Sequence, residues 1–177
     1  TALAGHLLGS AALAEIGATA ALYGLIMNFA FGMNNGLALT VSRCFGAGER
    51  EGIRRAVGWM VTLSAAVSIV LTTVSLLGRG ALLQVLQVPA EVWDGAAAYL
   101  TVILLGIPLT MLYNMEAALL RAVGNSVTPL LFLLFSSVLN VGLDAAFMGP
   151  LGMGVRGAAV ATVLAQGISA VLGAVYL

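Results

Sequence analysis

Long apolar stretches dominate the pattern of hydrophobic and polar positions along the chain. Five windows contain no Asp, Glu, Lys or Arg, namely 16–42, 56–78, 95–115, 122–143 and 157–177. Each exceeds the length of about 18 residues that marks a candidate transmembrane helix. A transmembrane β-strand would instead alternate apolar and polar positions over about ten residues. The pattern therefore predicts an all-α, polytopic membrane protein.

Glycine and proline residues mark the joints between the predicted helices. We predict the tail of a truncated first helix at 1–10. Five spans follow, near 18–42, 56–78, 95–117, 129–149 and 155–177. Pro129 fits the first turn of a helix, where no N–H is needed, and Pro108 should kink the span that contains it. The prediction is a single transmembrane lobe over 1–177.

Composition supports a lipid-facing surface and excludes several classes of partner. The chain is 61% hydrophobic and only 8% charged, whereas a soluble domain carries roughly 25% charged residues. The net charge is zero and Lys is absent, so no nucleic-acid partner is expected. The single cysteine, Cys44, forbids a disulfide within this sequence. Membrane lipid is the predicted surroundings of the bundle.

Arginine positions predict the orientation of the spans. The loop after the 18–42 span and the loop after the 95–117 span hold five arginines, Arg43, Arg50, Arg54, Arg55 and Arg121. The opposite loops hold only Arg79 and Arg156. Because cytoplasmic loops carry an excess of Arg and Lys, loop 43–55 is predicted to be cytoplasmic. A prokaryotic inner membrane is the expected location.

One acid, Asp144, lies in an otherwise apolar run and needs a physical reason. An intramembrane charge is costly, so it is offset by a partner, a cavity or a proton. Asn140 lies four residues earlier, on the same helix face. If the last two spans form a straight hairpin centred near 151, Thr162 reaches the depth of Asn140. These oxygens suit Na⁺ or a proton on the carboxyl, while the structural alternative is an ion pair between Asp144 and Arg156.

Other polar residues in the spans are weaker candidates. Asn28, Asn34 and Tyr113 are candidate cavity-lining residues, or they bond neighbouring helices. His6 titrates near neutral pH when unperturbed and is a weak candidate for a proton relay. Small residues recur four apart, as in Ala165/Ser169/Gly173, and such rows let helices pack closely in lipid.

Several segments together resemble the amino-terminal lobe of a multidrug and toxic compound extrusion (MATE) transporter. The resemblance covers almost the whole chain and rests on the order and spacing of five segments: "ALAEIGA" (12–18), "RCFGAGE" (43–49), "YNMEAALLRAVGNSVTPL" (113–130), "LNVGLDAAF" (139–147) and "GMGVRGAAVATVLAQG" (152–167). It implies one six-helix lobe of a two-lobe protein, with the first helix truncated. The chain lacks an initiator Met and ends within an apolar run, so we interpret it as a fragment without its carboxy-terminal lobe.

The resemblance also implies a function and a site. Family members exchange cations for organic substrates by alternating access, so we expect an antiporter for small, often cationic, organic compounds. No cofactor is expected beyond Na⁺ or H⁺ as the coupling ion. Asn140, Asp144 and Thr162 match a cation or proton site of this lobe, and the backbone carbonyl of Ala158 would complete it. Glu116 departs from the pattern, since a neutral residue is expected there. It is either a snorkelling or paired acid, with Arg121 or Arg43 as partner, or a second proton-carrying or substrate-facing acid.

Two alternative functions stay open at the level of sequence. A lipid-linked oligosaccharide flippase of the same superfamily would share the helix layout but usually carries more cations facing its cavity. A structural membrane subunit without transport activity is the other alternative. An intramembrane protease is disfavoured because the spans lack paired catalytic groups.

Overall fold

Over residues 2–177 the protein is a bundle of seven α-helices joined by short turns. The computed structural model describes the backbone of residues 2–177 and the side chains of residues 16, 17 and 19–177. The helices are α1 (Ala2–Gly46), α2 (Arg50–Leu77), α3 (Arg79–Val85), α4 (Trp93–Leu105), α5 (Ile107–Ala122), α6 (Val127–Met148) and α7 (Gly154–Tyr176), with a 3₁₀ turn at Ala90–Val92. The prediction for the His6 side chain lies outside the described residues. The helical fold class is confirmed.

The first helix differs from the prediction. We expected a helix tail at 1–10 and a separate span from about 18, but α1 runs without a break from Ala2 to Gly46. The intervening stretch 10–18 is rich in alanine and contains no proline, so nothing in its local chemistry opposes helix formation. At about 1.5 Å per residue, the 45 residues of α1 are longer than a membrane is thick. The predicted span 18–42 lies inside α1.

The predicted span 95–117 is two helices that meet at a bend. The segments Ala90–Leu105 and Ile107–Ala122 are inclined by 46°. Gly106 forms the joint, and Pro108 occupies the first turn of α5, where a missing N–H costs little. The predicted kink is therefore present, and it is placed two residues before the proline because Pro108 starts the second helix.

Three helices in the described part of the chain are long and apolar enough to cross a membrane by themselves. They are Arg50–Leu77, Val127–Met148 and Gly154–Tyr176, and the bent pair formed by α4 and α5 adds a fourth. The lipid-facing character predicted from composition is visible on α6, whose large apolar side chains are mostly exposed, among them Leu130, Leu131, Leu134 and Val138. These exposed residues match a surface that faces hydrocarbon.

The buried core surrounds α4, α5 and α7. Leu100, Leu104, Ile107 and Met111 are almost fully buried along α4 and α5. On α7 the buried positions are mostly Ala, Gly or Ser. Small side chains let helix backbones approach closely in lipid, where packing drives association. As a result α7 contacts α4, α5 and α6 closely.

Candidate functional site

The turn between α6 and α7 sets the register of the two site helices. The N–H of Leu151 donates to the carbonyl of Ala146 (3.2 Å), and that of Met153 donates to the carbonyl of Phe147 (2.9 Å). Gly152 has φ +60°, a conformation that glycine adopts without the steric cost of a side chain. This tight turn returns the chain antiparallel to itself, so residues at equal distance from the turn meet.

Asn140 and Thr162 are brought together by this register. The Asn140 Nδ2 donates to Thr162 Oγ1 at 3.3 Å. The Thr162 hydroxyl in turn donates to the backbone carbonyl of Ala158 at 2.9 Å. Three of the four residues expected at the cation or proton site thus form one hydrogen-bonded chain across α6 and α7.

Asp144 lies one turn further along α6, on the same face as Asn140. Its Oδ1 atom is buried and has no hydrogen-bond partner among the described residues. The alternative pairing with Arg156 is not formed, since the described side chains contain a single ion pair, between Arg55 and Glu51. A buried carboxylate oxygen without a partner is costly. The position therefore has unused capacity to bind a proton or a cation.

Tyr99, which lies near Asp144, and Tyr23, which lies near Tyr99, were not predicted from the sequence. Tyr99 of α4 is buried and lies near enough to Asp144 and Tyr23 for electrostatic interaction. Tyr23, Tyr99 and Ala158 share one buried cluster. Because these residues come from α1, α4 and α7, no local spacing rule relates them in the sequence.

Gln166 is a second residue that the sequence reasoning missed. It lies one turn after Thr162 on α7, and it joins three helices. Its Nε2 donates to the hydroxyl of Tyr23 (3.3 Å), while its Oε1 accepts from the hydroxyl of Thr110 (2.5 Å). Its spacing of four from Thr162, within an apolar span, is the signal that could have identified it.

A cleft of about 170 Å³ opens beside these groups. Its lining residues are Met27, Tyr113, Leu133, Ser136, Ser137, Asn140, Thr162, Ala165 and Gln166. A neighbouring cleft of about 350 Å³ shares Met27, Tyr113 and Leu133 and continues to Arg121. Tyr113, a candidate cavity-lining residue, thus lies on the wall between the two clefts.

The other candidate cavity-lining residues lie elsewhere. Asn34 is fully buried; it donates to the carbonyl of Ala30 (2.9 Å) and accepts from the Ser64 hydroxyl (2.8 Å). It therefore joins α1 to α2 and does not line a cavity. Asn28 is exposed on α1. Glu116 is buried, with 3% of its surface exposed, and it lines neither of the two clefts.

Glu116 has no ionic partner among the described side chains, contrary to the pairing considered from the sequence. Arg121 donates to Asn35 Oδ1 (3.2 Å), and its guanidinium carbon lies 5.6 Å from the centre of the Phe31 ring. Arg43 is exposed. The side chains at 116 and 121 point to different helices because residues five apart do not share a helix face.

Comparison with known proteins identifies the family. The MatE family profile matches residues 1–146. The chain belongs to the MATE family. The Bacillus subtilis protein "Probable multidrug resistance protein YpnP" is 32% identical over 173 residues, which cover 98% of this chain and 39% of that protein. The Thermotoga maritima protein "Probable multidrug resistance protein NorM" is 29% identical over 174 residues, covering 96% and 37%.

Solved MATE structures have the same fold. An inward-facing multidrug resistance MATE family transporter matches with a TM-score of 0.93 at 28% identity, over 99% of this chain and 41% of that chain. An outward-facing MATE structure matches with a TM-score of 0.90 at 28% identity, over 96% and 38%. The MATE chain described here therefore spans about two fifths of the length of its relatives, in agreement with the prediction of one lobe of a larger protein.

Proposed function

We propose that the intact protein exports organic compounds in exchange for a cation, and that this MATE lobe binds the coupling cation at Asp144. The observation that carries the proposal is the buried, unpartnered oxygen of Asp144 in a membrane-spanning helix. An ionisable residue inside a membrane is expensive and is by default functional. Multidrug resistance appears in the names of the matching relatives, which favours organic compounds as substrates.

The coupling ion in this proposal is Na⁺ or H⁺. The Asp144 carboxylate, the Asn140 amide, the Thr162 hydroxyl and the Ala158 carbonyl are hard oxygen donors of the kind that suit hard cations. Asn140 currently presents Nδ2 to Thr162, and rotation of its amide by half a turn would present Oδ1. For H⁺, protonation of Asp144 alone removes the buried charge.

Alternating access requires that ion binding favours one conformation over the other. Similar TM-scores to inward-facing and outward-facing MATE structures, 0.93 and 0.90, support the idea that this lobe moves as a unit. Rocking of two lobes about a central site is a common transport scheme. Under this proposal the carboxy-terminal lobe is the partner of the 1–177 lobe, and loop 43–55 faces the cytoplasm of a prokaryotic cell.

The substitution Asp144→Asn tests the proposal because it keeps the shape and removes the ionisable group. In the intact protein we expect efflux of an organic cation dye, such as ethidium, to fall to the background of empty cells, with membrane insertion unchanged. Asp94→Asn is the matched control, since Asp94 is an exposed acid on α4. Normal efflux in the Asp144 variant would exclude Asp144 as the coupling group. An equal loss of efflux in Arg156→Gln would instead favour an ion pair between Asp144 and Arg156.

Separate ion gradients identify the coupling ion. Proteoliposomes with the intact protein are given a Na⁺ gradient or a pH gradient, and dye transport is measured. If Na⁺ couples, Thr162→Val removes an oxygen ligand and should raise the Na⁺ concentration needed for half-maximal transport. If H⁺ couples, Thr162→Val should leave the dependence on the proton gradient largely unchanged.

One observation keeps a flippase for lipid-linked oligosaccharides as a second candidate. Arg121 lines the cleft of about 350 Å³, so this lobe contributes at least one cation to a cleft wall. An anionic headgroup would be attracted there. Binding of an anionic lipid-linked precursor to the intact protein, lost in Arg121→Gln, would favour this candidate over drug export.

A further inference from the structure

A second acid, Glu116, is buried at the contact between α5 and α7. Only 3% of its surface is exposed, and its carboxyl group lies against the backbone of Gly173. A Cβ atom added at Gly173 would overlap Glu116 Oε2 and would lie 3.1 Å from Glu116 Cδ. The glutamate side chain fits this interface because residue 173 has no side chain.

Nothing in the described part of the chain neutralises Glu116. No hydrogen bond or ion pair joins it to a basic group, since the one ion pair is Arg55–Glu51 and Arg121 is engaged by Asn35. Ser169, one turn before Gly173 on the same face of α7, is also fully buried, and its hydroxyl has no hydrogen-bond partner. Glu116, which has no ionic partner among the described side chains, and the unpartnered Ser169 hydroxyl thus lie about one turn apart along α7.

Other charged and titratable groups on the helices packed around α5 point elsewhere. Arg43 of α1, Asp94 of α4 and Arg156 of α7 are exposed, and Tyr176 of α7 is near Asn125 (3.3 Å). On α2 the charged residues Arg50, Glu51, Arg54 and Arg55 are exposed in their own cluster. Asp144 of α6 lies near Tyr99. Among the described residues of these helices, Glu116 therefore faces no charged side chain.

We propose that Glu116 is a second proton-binding residue of this protein, which holds a proton while α5 and α7 are packed and releases it when they separate. An isolated ionised carboxylate in such a place is so unfavourable that the group takes up a proton instead. A protonated carboxyl also supplies its own donor, which the backbone and Ser169 of α7 can accept. When the helices part, water reaches the carboxyl and ionisation becomes favourable.

The Glu116 site is separate from the site at Asp144. Glu116 lies against Gly173 of α7, whereas Asn140, one turn from Asp144, bonds Thr162 of α7. Gly173 and Thr162 are eleven positions apart, which corresponds to about 16 Å along a helix. The two acids therefore lie at different membrane depths, on different helices. The protonation of Glu116 in the packed state does not depend on the proposed function. The release step does rest on the proposed function, because only transport requires α5 and α7 to move.

Infrared spectroscopy of the intact protein in detergent at neutral pH tests the protonation state directly. The difference spectrum between wild type and Glu116→Gln should show the carbonyl stretch of a protonated carboxylic acid. Carboxylate bands in that difference spectrum would overturn the proposal. Asp144→Asn is measured in parallel. If that variant keeps efflux while the Glu116 band persists, the proposed function and the release step fail, whereas the protonation of Glu116 in the packed state stands.

Substitution at the contact tests the geometry independently of any spectrum. Glu116→Gln should keep the thermal stability of wild type at neutral pH, because a neutral side chain of the same shape replaces a neutral acid. Gly173→Ala should lower stability by clashing with Glu116, and Gly173→Ala combined with Glu116→Ala should recover most of that loss. A marked loss in Glu116→Gln, or no recovery in the double variant, would contradict the proposed packing and charge state.

Discussion

The close contact between Gly106 and α7 makes a quantitative prediction about the bend between α4 and α5. A Cβ atom added at Gly106 would overlap Val163 Cγ2 and would lie 3.1 Å from Val163 Cγ1. Both residues belong to packed helices, so the backbone cannot move away without separating α5 from α7. Gly106→Ala should therefore destabilise the bundle through overpacking.

The magnitude follows from two opposing terms. Overpacking a well-packed site costs about 1–3 kcal/mol. Replacing glycine by alanine at a compatible backbone position contributes about 0.4–1 kcal/mol of stability, and φ at Gly106 is −78°, so this gain applies. The difference of the two ranges is a net loss of about 0–2.6 kcal/mol, and of about 1.3 kcal/mol for their central values. Gly58→Ala is the matched control, since a Cβ there meets nothing within 4 Å. Only the stabilisation from replacing glycine by alanine is expected in this variant.

Unfolding of the purified intact protein in mixed micelles, titrated with sodium dodecyl sulfate, measures both variants. The difference between Gly106→Ala and Gly58→Ala isolates the clash, and Gly106→Ala with Val163→Ala should recover most of it. Equal stability changes in the two single variants would refute the contact. Failure of Val163→Ala to rescue would show that Gly106 is needed for another reason.

Two further predictions follow from the structure. Asn34→Leu should leave the buried hydroxyl of Ser64 without its partner. The free energy of unfolding should fall by about 0.6–1.7 kcal/mol, as measured for hydrogen bonds between membrane helices. In the same unfolding assay, Asn34→Leu combined with Ser64→Ala should lose less stability than the sum of the two single variants. A cysteine introduced as Ala47→Cys, in the turn after α1, should react with a membrane-impermeant maleimide from the cytoplasmic side only, in a protein otherwise free of cysteine. Labelling from outside intact cells would reverse the predicted orientation.

The sequence predicts those features that depend on short-range geometry. The hairpin of α6 and α7 joins antiparallel helices through a short turn, so equal spacing from residue 151 placed Asn140 opposite Thr162. Pro129 was predicted in the first turn of a helix, where proline fits, and Pro108 was predicted to kink its span; both features are present. The family resemblance, carried by ordered segments over almost the whole chain, agrees with the MatE match over 1–146.

Features that depend on tertiary packing were beyond sequence reasoning. Tyr23, Tyr99 and Gln166 come from three helices, and their meeting depends on how α1, α4 and α7 cross. The pairing of Glu116 with Arg121, one of the alternatives left open by the sequence, is not formed among the described side chains, because a separation of five residues turns the side chains about 140° apart on a helix. The break expected near residue 10 was also wrong, since an alanine-rich stretch favours helix whatever its place in the membrane.

The position of α7 links the two acids physically. Its buried face consists of small residues, so it packs closely on α5 and on α6 at once. Thr162 of α7 bonds Asn140 near Asp144, and Gly173 of the same helix accommodates Glu116. Because a packed helix shifts as a unit, a movement of α7 that rearranges the surroundings of Asp144 also changes the surroundings of Glu116. A protonation event at either acid then biases the same helix, and substitutions at the two acids should not be additive in their effect on α7.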